Sequence, residues 1–417
     1  VPQFSAAGLS EFDYSPGSIR TEMSDYMFAS LMMAPNFLAA LRTSQFGGGG
    51  TGVGNAVMQL LHYWQENRLN PRTVTDTSGG FNTTAMTFTV SLADGALLDI
   101  NYILIDRSQN LLIAEQIQIT GLAIGASSVT ATILRGVNGT TAASHSASAI
   151  YKIIATPVQE GSDLGRDQSR APGIKANTVQ TFRRDVIITG SMVELARHGL
   201  VPGIPNQPAF QLHERFWEML IDYENTVISG IGTPSNVQSQ TQTMWGVLPW
   251  LGYSNPVPNA NSVLANANGA AITDLLLNGL GINIYLQGGQ IPDLLLGHPY
   301  VMDRISRIFR DQLRLSQTEV VRGFNVDTIR LSLGTKPVKL LMSGYMPDPT
   351  VNEGVLALLD MDKFALVPFY NRFLFLLSAP TTKDADIVSI MSQSTLEARH
   401  TGTDFGYVSQ ILRNFVV

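Results

Sequence analysis

The chain has 417 residues, 44% of them hydrophobic, which exceeds the size of a single core and supplies apolar material for two or three sub-domains. Charged residues are only 14% against about 25% in an average soluble protein, and the absence of cysteine excludes disulfides, thiolate zinc sites and cysteine nucleophiles. A formal charge of -6 argues against a broad basic face for nucleic acid, and with no secretory signal or apolar run of about twenty residues the sequence reads as cytoplasmic in origin and without a membrane span.

Residues 1 to 19 are polar and turn-rich, and Thr21 to Leu41 then carry Met23, Met27, Leu31, Phe37 and Leu41 in a partly helical rhythm that Pro35 must interrupt or kink. Gly47 to Gly50, continued by Gly52 and Gly54, reads as a hinge. It is not a phosphate loop, because no Gly-Lys-Ser/Thr ending follows and no apolar strand precedes it. From Met86 to Ile154 short alternating runs separated by Asp94-Gly95, Gly121 to Gly125 and Asn138-Gly139 predict five or six strands of a compact all-β module. The module reads as an insertion. The extended segments flanking it, Tyr63 to Thr77 and Asn177 to Thr189, are expected to pair as two limbs of one long hairpin.

The clearest helix spans Gln207 to Ile228, with Phe210, Trp217, Leu220, Ile221, Val227 and Ile228 near a 3.6-residue period, Pro208 in its first turn and Ser229-Gly230 at its end. Trp217 is expected to anchor the core on its apolar face. Between Glu224 and Asp274 no charged residue occurs, where average usage would place roughly a dozen. Pro234, Pro249, Pro256 and Pro258 and many Asn, Gln and Ser residues rule out a membrane span there, so the stretch reads as a large surface buried between subunits, or as a long glycine- and asparagine-rich loop system. Helices are expected over Ile272 to Leu280 and Tyr300 to Leu315, with a buried strand at Asp293 to Leu296 between them. Strands then dominate, from Thr328 to Leu333 through to Ile387 to Glu397, which makes the fold class α+β.

No chemistry emerges from the polar residues. The histidines His62, His145, His198, His213, His298 and His400 include no pair at metal-ligand spacing on one element, and no nucleophile elbow is present. Ser144-His145-Ser146 reads as a loop, and Asp360 with Asp362 as a turn at a strand end. No cofactor, metal or catalytic residue is expected.

Several motifs carry a resemblance in order along the chain. They are Tyr63-Trp64-Gln65-Glu66-Asn67-Arg68-Leu69-Asn70, Leu134-Arg135-Gly136-Val137-Asn138-Gly139-Thr140-Thr141-Ala142-Ala143, Gln159-Glu160-Gly161-Ser162, Asn177-Thr178-Val179-Gln180-Thr181-Phe182-Arg183-Arg184-Asp185-Val186, Asp222-Tyr223-Glu224-Asn225 and Ser394-Thr395-Leu396-Glu397-Ala398-Arg399. Together these resemble the major capsid proteins of tailed bacteriophages with the Hong Kong 97-type fold. The resemblance implies an N-terminal arm at 1–60, an extended loop at 61–85 and 155–200 carrying the β module at 86–154, a peripheral domain at 201–243 and 344–417 with the long spine helix, and an axial domain at 244–343. It also implies self-assembly into the pentamers and hexamers of an icosahedral head that encloses double-stranded DNA without sequence-specific binding, with portal, scaffolding or cement proteins as further partners, in a virion assembled in the host cytoplasm. Trp64, Arg183, Arg184, Trp250 and Leu251 are then the candidate subunit-interface residues. An encapsulin-like nanocompartment shell is the alternative with the same fold.

Overall fold

A computed structural model of the protein describes residues 35–41, 56–109, 114–162, 165–190, 207–234, 241–254, 256–258, 263–309, 314–321, 324–329, 331, 337–379, 385–402 and 407–416. The Gly47 to Gly50 hinge, and the expected N-terminal helix apart from Asn36–Leu41, lie outside the described residues. The chain divides into two compact units, Asn67–Gly173 and the combination of Val1–Glu66 with Ile174–Val417.

After β1 (Leu61–Glu66), the smaller unit contains β2 (Thr73–Thr75), β3 (Thr87–Ser91), β4 (Ile103–Asp106), β5 (Gln116–Ile124), β6 (Ser128–Leu134) and β7 (Ile150–Ala155). They form one six-stranded sheet in the order β2-β7-β4-β5-β6-β3. Its strands follow from alternation. β3 buries Phe88 and Val90, β5 buries Ile117 and Ile119, and β6 buries Val129, Ala131 and Ile133, so successive apolar side chains fall on one face and form a core with Leu104 and Tyr151. The sheet begins earlier than the Met86 boundary read from the sequence. Thr73–Thr75 pairs with β7, and Phe81 joins the core.

The larger unit continues with β8 (Gly173–Thr178), β9 (Gln180–Thr189), β10 (Leu264–Asn266), β11 (Leu294–Gly297), β12 (Arg314–Val321), β13 (Phe324–Ile329), β14 (Val338–Met342), β15 (Gly354–Leu359), β16 (Phe364–Pro368), β17 (Phe375–Ala379), β18 (Ala385–Ala398) and β19 (Gln410–Phe415). A mixed seven-stranded sheet runs β10-β19-β15-β11-β14-β13-β12. Its centre is β11 and β15, whose every residue is buried, as expected where apolar runs are covered on both faces. In a second sheet β16 and β17 lie along successive parts of β18, and β9 pairs with β18 from Gln180↔Ser394 to Thr189↔Ala385. The expected long hairpin is therefore only partly made. β1 pairs with β8, but β9 is a full sheet strand, because Phe182, Val186 and Ile188 alternate on one buried face that β18 and the spine helix complete.

The spine helix spans Gln207–Ser229 and stops where the Gly230 N–H turns back to the Thr226 carbonyl at 2.8 Å. A helix at Asp274–Gly288 starts later and ends later than the sequence suggested. The Thr273 side chain accepts the Leu276 N–H at 3.3 Å at its start, and Gly289, at φ 68°, closes its other end with an N–H to the Tyr285 carbonyl. The expected Tyr300 to Leu315 helix is shorter, Pro299–Ile308, since Arg314 opens β12.

Candidate functional site

The candidate interface residues occupy two different environments, and the first calls for a correction. Trp250 and Leu251 are 1% and 0% exposed within a single copy of the chain, and Trp64 is 6% exposed. The short helix Val247–Trp250 packs against the spine helix, and the Trp250 ring meets Trp64 edge-on with centroids 5.3 Å apart. Met244, Trp245, Val247 and Leu248 are buried in the same core cluster. The apolar part of the charge-free stretch is thus a subunit core, not a surface awaiting a partner. Its missing charge is explained by folding, since a charge there would be desolvated without a partner. The Trp250 indole N–H has no hydrogen-bond partner among the described residues, so packing alone holds the ring.

Arg183 and Arg184, by contrast, remain at the surface on β9. The Arg183 guanidinium pairs with Asp185 at 2.6 Å, and Arg184 pairs with Asp222 of the spine helix. Both side chains reach solvent, so these pairs contribute little to stability.

Trp217 does not lie in the core cluster. It is half-buried, and its indole N–H donates to His213 Nε2 at 3.2 Å. The buried face of the spine helix is instead Phe210, Met219, Tyr223, Glu224, Val227 and Ile228. Both faces carry apolar residues at helical spacing, and the packing of β9, β18, Val247–Trp250 and Asn36–Leu41 selects between them. Tyr223 stacks on Phe182 of β9 and its hydroxyl donates to Ser392 Oγ at 2.6 Å.

Several residues of the sequence motifs are buried polar clasps that reading by residue type alone did not single out. Glu224 is fully buried on the spine helix. One carboxylate oxygen accepts the Phe37 N–H at 3.0 Å and the Ser343 hydroxyl at 2.8 Å, and the other accepts the Leu38 N–H at 2.7 Å. Burial pushes this carboxyl up despite those three donors. The segment Asn36–Leu41 is thereby pinned to the spine helix. Asn177 makes a second clasp, donating to the Trp245 carbonyl at 3.1 Å and the Leu396 carbonyl at 2.7 Å while accepting the Trp245 N–H at 2.9 Å. A third joins β1 to β18. Glu66 accepts the Trp64 indole N–H and the His400 N–H, each at 3.0 Å, and Glu397 sits 2.9 Å from His62 and 2.5 Å from Arg399. Burial raises the Glu397 carboxyl, but His62 and Arg399 outweigh it and hold it below the usual range.

In the smaller unit, His145 is fully buried between two carboxylates, with Nδ1 2.8 Å from Asp106 and Nε2 3.1 Å from Glu115. Arg135 forks onto both Glu115 oxygens at 2.6 and 2.7 Å and also donates to the carbonyls of Asn82, Ala85 and Ala143. Burial pushes Glu115 up, but Arg135, the Ala143 and Gly136 N–H groups and His145 together hold it down at about 2. Arg135 and His145 face two carboxylates in a closed set with no solvent-facing edge at the histidine, which suits a structural pin. The sequence placed His145 in a loop. Its partners lie thirty and more residues away, so spacing along the chain gives no signal.

Among the described residues no group of three or more His, Asp and Glu is arranged to hold a metal ion, and no helix is long and apolar enough to cross a membrane.

The family described as SU10 major capsid protein matches residues 22–406. No curated protein shows a significant match. Among solved structures the chain is similar to the capsid of Myoviridae phage XM1, at 10% identity and TM-score 0.44 over 94% of this chain and 96% of that one. It is similar to a Mycobacterium phage Bobi chain at 10% identity and TM-score 0.43 over 95% and 96%, and to the SrpI encapsulin of Synechococcus elongatus at 15% identity and TM-score 0.41 over 59% and 76%.

Proposed function

The chain belongs to the SU10 major capsid protein family, and on that premise we propose that it assembles with copies of itself into the pentamers and hexamers of an icosahedral tailed-phage head that encloses double-stranded DNA. The match over residues 22–406 carries this reading, because it includes both compact units and the spine helix. The Hong Kong 97-type arrangement follows from it. Residues 1–60 are the arm, 61–85 and 155–200 the extended loop, 86–154 the inserted module, 201–243 and 344–417 the peripheral domain and 244–343 the axial domain. The compactness of Asn67–Gly173 supports a module on that loop with a wider boundary than its strands alone suggest.

Arg183 and Arg184 are the candidate interface residues that fit a contact between subunits, being charged and reaching solvent on a strand rich in motif residues. The formal charge of -6 supports DNA held by confinement and not by tight binding. Portal, scaffolding or cement proteins complete the set of partners, and the virion assembled in the host cytoplasm is the location. Electron microscopy of the expressed full chain tests the proposal. Closed shells are expected, and a protein that stays monomeric at high concentration, with or without co-expressed phage partners, refutes it.

A further inference from the structure

The Asp274–Gly288 helix has two apolar faces where a helix at a protein surface has one. Leu277, Leu280, Gly281 and Ile284 are buried against the subunit core. On the opposite side Leu275, Ile282 and Leu286 are 79%, 43% and 62% exposed, with Tyr285 beside them. A helix that is apolar all round is normally covered all round.

The exposed residues are ordered. Leu275, Gly279, Ile282 and Leu286 are separated by four, three and four residues, the spacing that lines up one seam for a partner helix. A Cβ built on Gly279 would meet nothing within 4 Å, so this glycine is not required by packing inside the subunit. It leaves a notch midway along the seam. No charged residue occurs from Leu275 to Pro292, so a partner bringing Lys, Arg, Asp or Glu to this face would leave that charge buried and unpaired. The complementary surface must itself be apolar and free of charge. The same seam on another copy of this chain meets that requirement and is present in equal amount.

We propose that the outward face of the Asp274–Gly288 helix is a self-association surface whose partner is the corresponding region of a second copy of the chain. This rests on the assembly reading above and names where one of its contacts forms. Gly279 provides the test, since a side chain placed there should leave the fold alone and obstruct only the partner. The full chain would be expressed as wild type, Gly279→Ala and Gly279→Arg, with particles read by sedimentation and electron microscopy and the subunit by circular dichroism.

Gly279→Arg is expected to give a folded subunit that fails to form particles, and Gly279→Ala a folded subunit melting no lower than wild type. Particles of Gly279→Arg at the wild-type yield overturn the proposal. If Gly279→Arg should not fold, a photo-crosslinking residue in place of Ile282 decides instead. Covalent dimers joined to a peptide of this same chain support the proposal, and adducts with a different protein, or none in intact shells, overturn it. If wild type forms no shell at all, the assembly reading fails separately. The same crosslink in concentrated subunit then decides, with dimers supporting the contact and their absence overturning it.

Discussion

Glu224 offers the sharpest test of how the segment Asn36–Leu41 is held, because its three donors come from two distant parts of the chain. Replacing it with alanine leaves the Phe37 and Leu38 N–H groups and the Ser343 hydroxyl buried without an acceptor. Each orphaned buried group costs about 1–3 kcal/mol, partly offset by removing a desolvated carboxylate, so Glu224→Ala should destabilise the subunit by about 3–5 kcal/mol. Glu224→Gln keeps the shape and one acceptor oxygen but sets an amide N–H₂ against one of the donors, for a loss of about 1–3 kcal/mol. Denaturant titration of unassembled full-length chain reads the total, and hydrogen exchange over Asn36–Leu41 reads the arm. The effect should be local, with exchange at Phe37 and Leu38 rising far more than in β11 or β15. Because burial raises this carboxyl, the protonation-linked part of its contribution is fully present below the unfolded carboxyl value of 4.5 and is lost as pH rises through the higher folded value, while the three accepted hydrogen bonds remain for the substitution to remove. Glu224→Ala with unchanged exchange over the arm segment would refute the clasp.

The Glu115 pin should respond to acid in the opposite sense. Held at about 2 against 4.5 unfolded, it contributes about 3 kcal/mol above pH 4.5, lost as pH falls toward 2. Thermal melts of wild type and Glu115→Gln should therefore converge in acid, and a difference independent of pH would contradict the pin. Leu251→Asp should abolish the folded subunit, because it places an unpaired carboxylate in a closed core at a cost of several kcal/mol. Circular dichroism showing a native-like subunit that merely fails to assemble would restore Leu251 to the interface. Trp250→Ala should cost about 3–5 kcal/mol in denaturant titration, whereas Trp217→Ala should fall well short of that range, and equal losses would mean that the assigned helix phase is wrong.

Elements with strong local periodicity are legible in the sequence. The spine helix, the buried strand at Leu294–Gly297 and the alternation of β3, β5 and β6 each carry their own pattern and end at their own glycine or turn residues. What could not be read is what depends on a partner remote in sequence. By sequence the β9 segment reads as one limb of a hairpin with Tyr63 to Thr77, because the strand that completes it, β18, lies some two hundred residues later. Glu224, Asn177 and His145 are unremarkable by type and neighbourhood. Their roles come from main-chain groups and carboxylates brought in by other elements.

The charge-free stretch teaches the same lesson about assembly. Depletion of charge marks a surface that is desolvated, but it does not say whether a subunit core or another subunit does the desolvating. At Met244 to Leu251 the residues that cover it belong to the same chain, with Trp64 and the spine helix closing over Trp250. At Leu275 to Leu286 the charge is equally absent, yet three large aliphatic side chains stay in solvent when a single copy is considered. The two stretches read alike in composition and differ only in what the fold leaves uncovered. For a family of shell proteins, an assembly contact belongs where charge is missing and burial inside one copy is incomplete, and that combination falls on the outward face of the Asp274–Gly288 helix and not on Trp250.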